Sequence, residues 1–495
     1  MELPTGWALT KLGEAIEVVR GASPRPKGDS RYFRGNIPWI MISDISKEKG
    51  KFISKTRDTV TEEGAKRSRY LKSGTLILSN SGTVCVPKIL AVDGCIHDGF
   101  VAFPNLSDEI DKLYVYHYLD YIRPYIIQEN KQGVTQVNLN TDIVRNIMIP
   151  LPPFVEQHRI IDRIEVLFSH LDVGIEALQK AKAQLRHYRQ SVLMAAVEGR
   201  LTEVWRKENP EVEPAEKLLE RILSLKQGKL GNKFKESKEL DITGFPVIPE
   251  SWLWVRLDSL AALKGGITKD TKRKVNNGRN VPYLRVANVQ RGYLDLDEMK
   301  EIEASEEIIS ELRLEQGDIL FNEGGDRDKL GRGWIWQEEL PECIHQNHVF
   351  RARLYSNDVS NRFISWFGNT YGQKYFLKEG KQTTNLASVN ITKLSAFPVP
   401  LPPKEEQKKI IELIDDLLFV SDDSEKLIYQ NLQWADKLRQ SILKYAFEGR
   451  LVTQDPNDEP ASMLLERIKA ERFNQVHNTS KRDRVHNTHQ MRLTQ

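Results

Sequence analysis

The stretch Pro150-Leu-Pro-Pro-Phe-Val-Glu-Gln-His-Arg-Ile-Ile161 returns 250 residues later as Pro400-Leu-Pro-Pro-Lys-Glu-Glu-Gln-Lys-Lys-Ile-Ile411. Pro153 and Pro403 suit the first position of a helix, where a missing N–H costs nothing, and Glu156 and Glu406 then fall in the first turn, where the helix dipole favours an anion. Each stretch therefore starts a helix. Apolar residues follow at spacings of three and four: Ile160, Ile164, Phe168, Leu171, Ile175, Leu178, Leu185, Val192 and Ala196, then Ile410, Ile414, Leu418, Ile428, Leu432, Ala435, Ile442 and Ala446 in the second copy. Gly199 and Gly449 supply the residues that end the helices. About 45 residues at 1.5 Å each make a helix of roughly 65 Å, long enough to need a partner. The obvious partner is the other copy. Lys182, Arg189, Arg439, Ser421 and Glu425 interrupt the apolar seam, so two ordinary helices packed on their own domains are the competing reading.

The repeat runs beyond these helices. RQSVLMAAVEGRL from Arg189 matches RQSILKYAFEGRL from Arg439 at the same shift, and EPAEKLLERI from Glu213 matches EPASMLLERI from Glu459. Upstream the likeness thins: LPTGW at Leu3 resembles IPESW at Ile248, NIPWI at Asn36 resembles NVPYL at Asn280, and Cys-Ile-His occurs at Cys95 and Cys343. A chain of 495 residues is too long for one ordinary core. It reads as two copies of a divergent module, each followed by a constrained helical segment. A period this long points to a duplicated domain pair with a pseudo-twofold arrangement, and excludes a short-repeat solenoid.

Within the modules, short apolar runs broken by turn signals (IPWIMISDI, GTLILSNSG, then the helical LYVYHYLDYI) indicate mixed α and β structure. Basic residues gather in their loops. Arg20, Arg25, Lys27, Arg31 and Arg34 face only Asp29 in the first copy; Lys264, Lys269, Lys272, Arg273, Lys274, Arg279 and Arg285 face only Asp270 in the second. These are candidates for contact with phosphates. The glycine-rich loop NEGGDRDKLGRG adds Arg327, Lys329 and Arg332, the arginines being suited to a guanine edge. A solvated loop without a ligand is the plainer reading of each.

The net charge of only +3 does not announce a polyanion partner by itself. Cys85, Cys95 and Cys343 form no CxxC pair, which argues against a zinc cage or a disulfide framework. No P-loop, HExxH or GxGxxG in a βαβ context appears, so neither a catalytic residue nor a metal ligand is assigned. His97 and His345, each following Cys-Ile in a strand, read as structural. With no basic and apolar leader and no long apolar run, a cytoplasmic protein without a membrane span is expected.

On the paired PLPPFVEQHRIIDRI/RQSVLMAAVEGRL and PLPPKEEQKKIIELI/RQSILKYAFEGRL motifs, the chain resembles the DNA-specificity subunits of Type I restriction-modification systems. The resemblance implies an α+β fold: two mixed α/β target-recognition domains in tandem, each followed by a long α-helix, the two helices forming an antiparallel coiled coil with pseudo-twofold symmetry. In this sequence the domains would be 1–152 and 245–402, the spacer helices 153–200 and 403–450, with a connector at 201–244, its equivalent at 451–470, and a disordered polar tail at 471–495. It implies a non-catalytic subunit that reads a bipartite asymmetric site on double-stranded DNA and binds two methylation subunits, plus restriction/translocase subunits where these exist. Those partners would bring S-adenosylmethionine, ATP and Mg; this chain itself would bind no cofactor. Glu156, Gln157, Ile160, Ile164, Leu171, Leu185, Glu406, Gln407, Ile410, Ile414, Leu432 and Ile442 would be the residues of the spacer helices and of their contacts to the other subunits. A helical protein-interaction scaffold that does not bind DNA is the alternative, separable by the steep salt dependence of phosphate contacts.

Overall fold

The computed structural model describes residues 3–48, 50–129, 139–234, 239–268, 278–325, 329–379, 381–382 and 387–471. Two compact units emerge: Met1–Leu178 with Gln430–Gln495, and Gln179–Tyr429. The unit boundaries do not follow the sequence repeat. They cut both long helices, Phe154–Val197 and Lys404–Phe447, so each unit owns the beginning of one helix and the end of the other.

In the first unit, strand Ala8–Lys11 pairs antiparallel with Met148–Leu151, bringing the start of the module to the strand that feeds the first long helix. Between them lie a five-stranded sheet, in the order Val19–Arg20, Phe100–Phe103, Leu76–Ser79, Pro87–Leu90, Phe52–Ile53, and a four-stranded sheet, in the order Asp58–Val60, Phe33–Ile40, Gly94–Ile96, Arg69–Leu71. The helix Lys112–Glu129 reads from the sequence as LYVYHYLDYI and buries Tyr114, Val115, Tyr118 and Leu119. These residues join Ile160, Ile164 and Phe168 of the first long helix and Ile442, Leu443, Ala446 and Phe447 of the second in one core. Phe447 packs edge-on against Tyr114 and Tyr118 and stacks on Tyr121.

The second unit repeats the plan. Strand Leu253–Arg256 pairs with Pro398–Leu401, and among the described residues one sheet of four strands and two of three stand between them. Its core joins Val192, Ala196 and Val197 to Ile410 and Ile414. A helix from the connector, Ala215–Leu230, buries Leu218 and Ile222 there. In the first unit the segment at 461–471 does the same with Leu464 and Ile468. Both segments carry the same internal ion pair, Arg221 with Glu213 and Arg467 with Glu459.

Four of the polar interruptions of the seam, Arg189, Ser421, Glu425 and Arg439, are paired. Arg189 bonds Ser421 (2.7 Å) and forms ion pairs with Asp422 and Glu425, while Arg439 forms an ion pair with Asp172 and lies 4.3 Å over the Phe168 ring. As numbers rise from 172 to 189 on one helix, partners fall from 439 to 422 on the other. The helices run antiparallel as a coiled coil whose charged positions answer one another in duplicate. Of the expected tail, 472–495 lie outside the described residues.

Candidate nucleic-acid and helix-end sites

Two kinds of site recur in both units: a clasp that closes the helix ends, and a platform under a basic loop. The clasp explains the repeated words. Gly199 and Gly449 adopt φ of +74° and +68°, the left-handed region that favours glycine. The following N–H groups, of Arg200 and Arg450, reach back to the carbonyls of Ala195 and Tyr445, both at 2.8 Å, which satisfies the last turns. A Cβ on Gly199 would stand 2.5 Å from Pro249, and one on Gly449 would stand 2.1 Å from Pro4. The helix end of each copy thus lies directly on the LP or IP opening of the other copy's module.

Gln157 and Gln407 do the same work at the helix starts. The Gln157 side chain donates to the Pro152 carbonyl (3.2 Å) and accepts from the Asp111 N–H (2.9 Å); Gln407 donates to the Pro402 carbonyl (2.8 Å) and accepts from the Ser360 N–H (2.7 Å). Glu406 is buried. It accepts from the Trp252 indole (2.9 Å) and the Thr202 hydroxyl (2.7 Å) and pairs with Arg206, which also donates to the Gly199 carbonyl (2.9 Å). In the other unit Gln454 replaces that arginine. It donates to the Gly449 carbonyl (2.6 Å) and more distantly to Glu156 (3.3 Å), while the Trp7 indole N–H faces Glu156 without reaching good hydrogen-bond geometry. Burial therefore pushes the Glu156 carboxyl above its ordinary value, against the smaller opposing effects of Trp7, Gln454 and Arg159.

These contacts separate the two roles expected of the spacer residues. Glu156, Gln157, Ile160, Ile164, Glu406, Gln407, Ile410, Ile414 and Ile442 are buried within their own units, so their side chains hold the fold and are not free to meet another subunit. Leu171, Leu185 and Leu432 are half-buried. The helix faces that do stand in solvent carry Val166, Val173, Tyr188, Phe419, Val420 and Leu427, and also Trp434 at 64% and Leu438 at 50% exposure. The sequence pattern shows the seam but not these outward residues, because a single period of 3.6 does not distinguish two apolar faces of one helix.

The platform lies under the basic loops. In the first module, Gly21 crosses the Cys-Ile-His strand so closely that a Cβ there would be 2.1 Å from the His97 carbonyl, and Ala22 N–H donates to the Ile96 carbonyl (3.2 Å). In the second, Gly266 crosses the strand with a Cβ at 1.9 Å from the His345 carbonyl, and Ile267 N–H donates to that carbonyl (2.8 Å), so the motif sits one residue out of step with the first module. The Cys-Ile-His repeat is thus the base on which each loop is anchored. His345 is buried, with Nδ1 2.6 Å from the Val349 carbonyl and its basicity pushed down to about 4 by burial; burial likewise lowers His97. Burial pushes the Cys85 and Cys343 thiols up to about 12 and raises Cys95.

Arg20, Arg25, Lys27, Arg31 and Arg34 all stand exposed on the first platform. Arg20 donates to the Asp98 carbonyl (3.2 Å), Arg25 lies 3.7 Å from the Asp98 carboxylate, and Arg31 grips Asp29, holding that carboxyl down at about 2. Arg34 sits at φ +66°, a strained position for a side chain of its size. Arg67 lies 4.7 Å over the Tyr32 ring beside them, a cation outside the local charge run because it arrives from a distant segment.

The second basic loop is less cationic than its sequence. Lys264 pairs with Glu311 and Arg279 with Glu306 and Glu342. Arg285 is largely covered and donates to the Glu298 carbonyl (2.8 Å), so it braces its own loop and is not placed for phosphate contact. Lys269, Lys272, Arg273 and Arg327 lie outside the described residues. Lys329 is half-buried; Arg332 donates to Gln290 (2.8 Å), with its carbonyl accepting from Asn322 (2.8 Å). Among the described residues no group of three or more His, Cys, Asp or Glu could hold a metal, and no helix is long and apolar enough to cross a membrane.

Two modules of one design, each with a glycine-anchored loop over a Cys-Ile-His strand and each clasped to paired helix ends, define a tandem-module protein whose exposed cations gather on the first module. The chain belongs to the family of Type I restriction modification DNA specificity domains, which it matches over residues 4–183 and 249–433. It is similar to the Type I restriction enzyme EcoKI specificity subunit of Escherichia coli (strain K12), 24% identical over 490 residues, with 95% of this chain and 96% of that one covered. The StySPI specificity subunit of Salmonella potsdam is 24% identical over 489 residues, with the same coverage of 95% and 96%. A solved chain from work on complex assembly and conformational transition of the type I R-M system shares the fold at a TM-score of 0.60 and 18% identity, covering 91% of this chain and 100% of that one.

Proposed function

We propose that this chain is the non-catalytic specificity subunit of a Type I restriction-modification complex, each module reading one half of a split site on double-stranded DNA. The observation that carries the reading is the repeated platform: two modules with divergent loops set on the same glycine and Cys-Ile-His base. An asymmetric site needs two different readers, and the paired helices supply each with the same mount. Two methylation subunits, and restriction/translocase subunits where the cell has them, would dock on the helices. S-adenosylmethionine would act in the methylation subunits, ATP and Mg in the restriction subunits. The outward Phe419, Trp434 and Leu438 are the kind of apolar surface that a protein partner covers.

The test is a comparison of methylated adenines across the genome with and without this chain. A bipartite motif should disappear with it. Persistence of every motif refutes the proposal. For the purified complex, affinity for DNA should fall steeply between low and moderate salt, as expected when several phosphates are neutralised.

A further inference from the structure

We propose that Arg34 is a preset contact for a backbone phosphate of the first half-site, and that the fold tolerates a strained residue in order to present it. The inference rests on the DNA-reading function above and gives one side chain a defined part in it. Arg34 lies in strand Phe33–Ile40 where the register breaks: Phe33 and Ile37 both face Val60 of the neighbouring strand, so residues 34–36 bulge out between them. A bulge of this kind re-aims a side chain.

The bulge is pinned on every side. Phe33 is buried, its ring centre 5.0 Å from that of Trp39, in a core with Tyr32, Val60 and Cys95. The Thr61 N–H donates to the Tyr32 carbonyl (3.0 Å), and the Thr61 hydroxyl donates to the Arg31 carbonyl (2.6 Å). Gly35 passes so close that a Cβ there would stand 2.5 Å from Thr61 Cα and 2.5 Å from the Val60 carbonyl oxygen. Residue 34 therefore cannot relax. It is held at φ +66°, in the left-handed region that glycine adopts freely and an arginine does not. A glycine would suit the fold better. Counted from the matching words NIPWI and NVPYL, the second module has Gly278 at this place, and its adjacent Arg279 is paired with Glu306 and Glu342.

The Arg34 guanidinium has no such partner. It is exposed and makes no hydrogen bond, ion pair or ring contact among the described residues, although Glu62 and Glu63 open the helix that Thr61 caps. Its neighbours are cations. Arg67 lies 4.7 Å and Arg31 5.3 Å from the centre of the Tyr32 ring, and the Ser68 hydroxyl donates to the Ala22 carbonyl (2.6 Å), which joins this corner to the loop bearing Arg20 and Arg25. A guanidinium whose backbone is already fixed loses less freedom when an anion arrives, and its fork suits a phosphate. Phosphate contacts set register and carry no base identity, so Arg34 positions the duplex and does not choose its letters.

The test compares Arg34→Gly and Arg34→Lys in the whole chain with its methylation subunits, on a duplex carrying the motif that the wild-type complex methylates. Arg34→Gly should bind on the order of tenfold more weakly at about 0.1 M salt, with the slope of log K against log salt reduced by about one. Relief of strain opposes the looser unfolded chain that a glycine brings, so the purified variant should melt at, or up to about 4 °C above, the wild-type temperature. Arg34→Lys keeps both charge and strain and should keep the slope and the melting temperature. Both variants should methylate the same letters at the same gap. The assignment is overturned if the glycine variant binds as wild type or melts lower, if the lysine variant shows the reduced slope, or if either variant methylates altered letters. DNA binding by the wild-type complex that ignores salt, or a methylation map that loses no motif with the chain, would instead refute the DNA-reading function, so the two failures are distinguishable.

Discussion

Replacing the same glutamate of the repeated motif by glutamine should have opposite consequences in the two units. Glu406 is 1% exposed and is matched by three donors: the Trp252 indole, the Thr202 hydroxyl and the Arg206 guanidinium. Glu406→Gln keeps one acceptor oxygen but puts an NH2 against a donor and leaves Arg206 without its counter-charge. Breaking a buried ion pair costs about 3–5 kcal/mol. Arg206 is 22% exposed and retains the Gly199 carbonyl, so the lower end, about 3 kcal/mol, is expected. Glu156 has no cation of this kind. Its carboxyl is pushed upward by burial, so near neutral pH the folded unit carries an ionised group that it holds less comfortably than the unfolded chain does. Glu156→Gln removes that charge and should stabilise the first unit at pH 8, with the gain disappearing as the pH falls and wild-type Glu156 takes up its proton. Peptide-resolved hydrogen exchange on the whole chain reads both effects, through segments 199–209 and 404–410 for one clasp and 3–9 and 449–456 for the other. Equal destabilisation by the two substitutions would show that the Arg206-for-Gln454 exchange does not govern the clasps.

Further expectations follow from the same contacts. Glu165 is pulled down to about 2, first by its bond with His117 and then by Lys51. A depressed carboxyl gives stability that is complete above its unfolded value and is lost as the pH falls towards about 2, so Glu165→Gln should flatten the acid limb of the first unit's unfolding curve. Gly449→Ala combines a positive φ with a 2.1 Å approach to Pro4 and should cost more than the roughly 1 kcal/mol of an alanine in the left-handed region alone, read as a lowered melting temperature. Four residues, about one helical turn, inserted after both Leu178 and Tyr429 lie between the clasps; methylation mapping should show an altered gap with unchanged half-site letters, and altered letters would contradict the division of labour. Arg20→Ala with Arg25→Ala should weaken DNA binding of the whole complex and reduce its salt slope by up to about two, if each arginine meets one phosphate.

The helices were legible because their signals are local: prolines at the first turn, apolar spacing, and glycines at the end. The modules were legible only as mixed α and β, since their strands are short and pair across long intervals, such as Ala8–Lys11 with Met148–Leu151. The purpose of Glu156 and Glu406 was hidden for a similar reason. The partners that bury Glu406, Thr202 and Trp252, lie 204 and 154 residues away in the sequence, and no spacing rule connects them. Charge runs overstated the second basic loop because Lys264 and Arg279 find carboxylates on the helix Glu306–Leu312 and at Glu342 in a loop, well along the chain. Such neutralisation can be seen only once the chain is folded.

The exchange of helix halves between units also explains why these motifs match while the modules diverge. The PLPP start of one copy never closes on its own EGRL end; it sits in a unit with the end of the other copy, so Glu406 meets Thr202 and Arg206, and Glu156 meets Gln454. A change in one copy's motif must therefore fit a surface supplied by the other, and Gly199 against Pro249 and Gly449 against Pro4 leave little tolerance at either end. The platform loops face no such requirement. Among the described residues the Arg20 and Arg25 side chains answer only to Asp98 and to solvent, and their counterparts in the second module can change without disturbing a clasp. The fold thereby separates two demands: helix ends that must agree with one another across the chain, and reading surfaces that are free to differ.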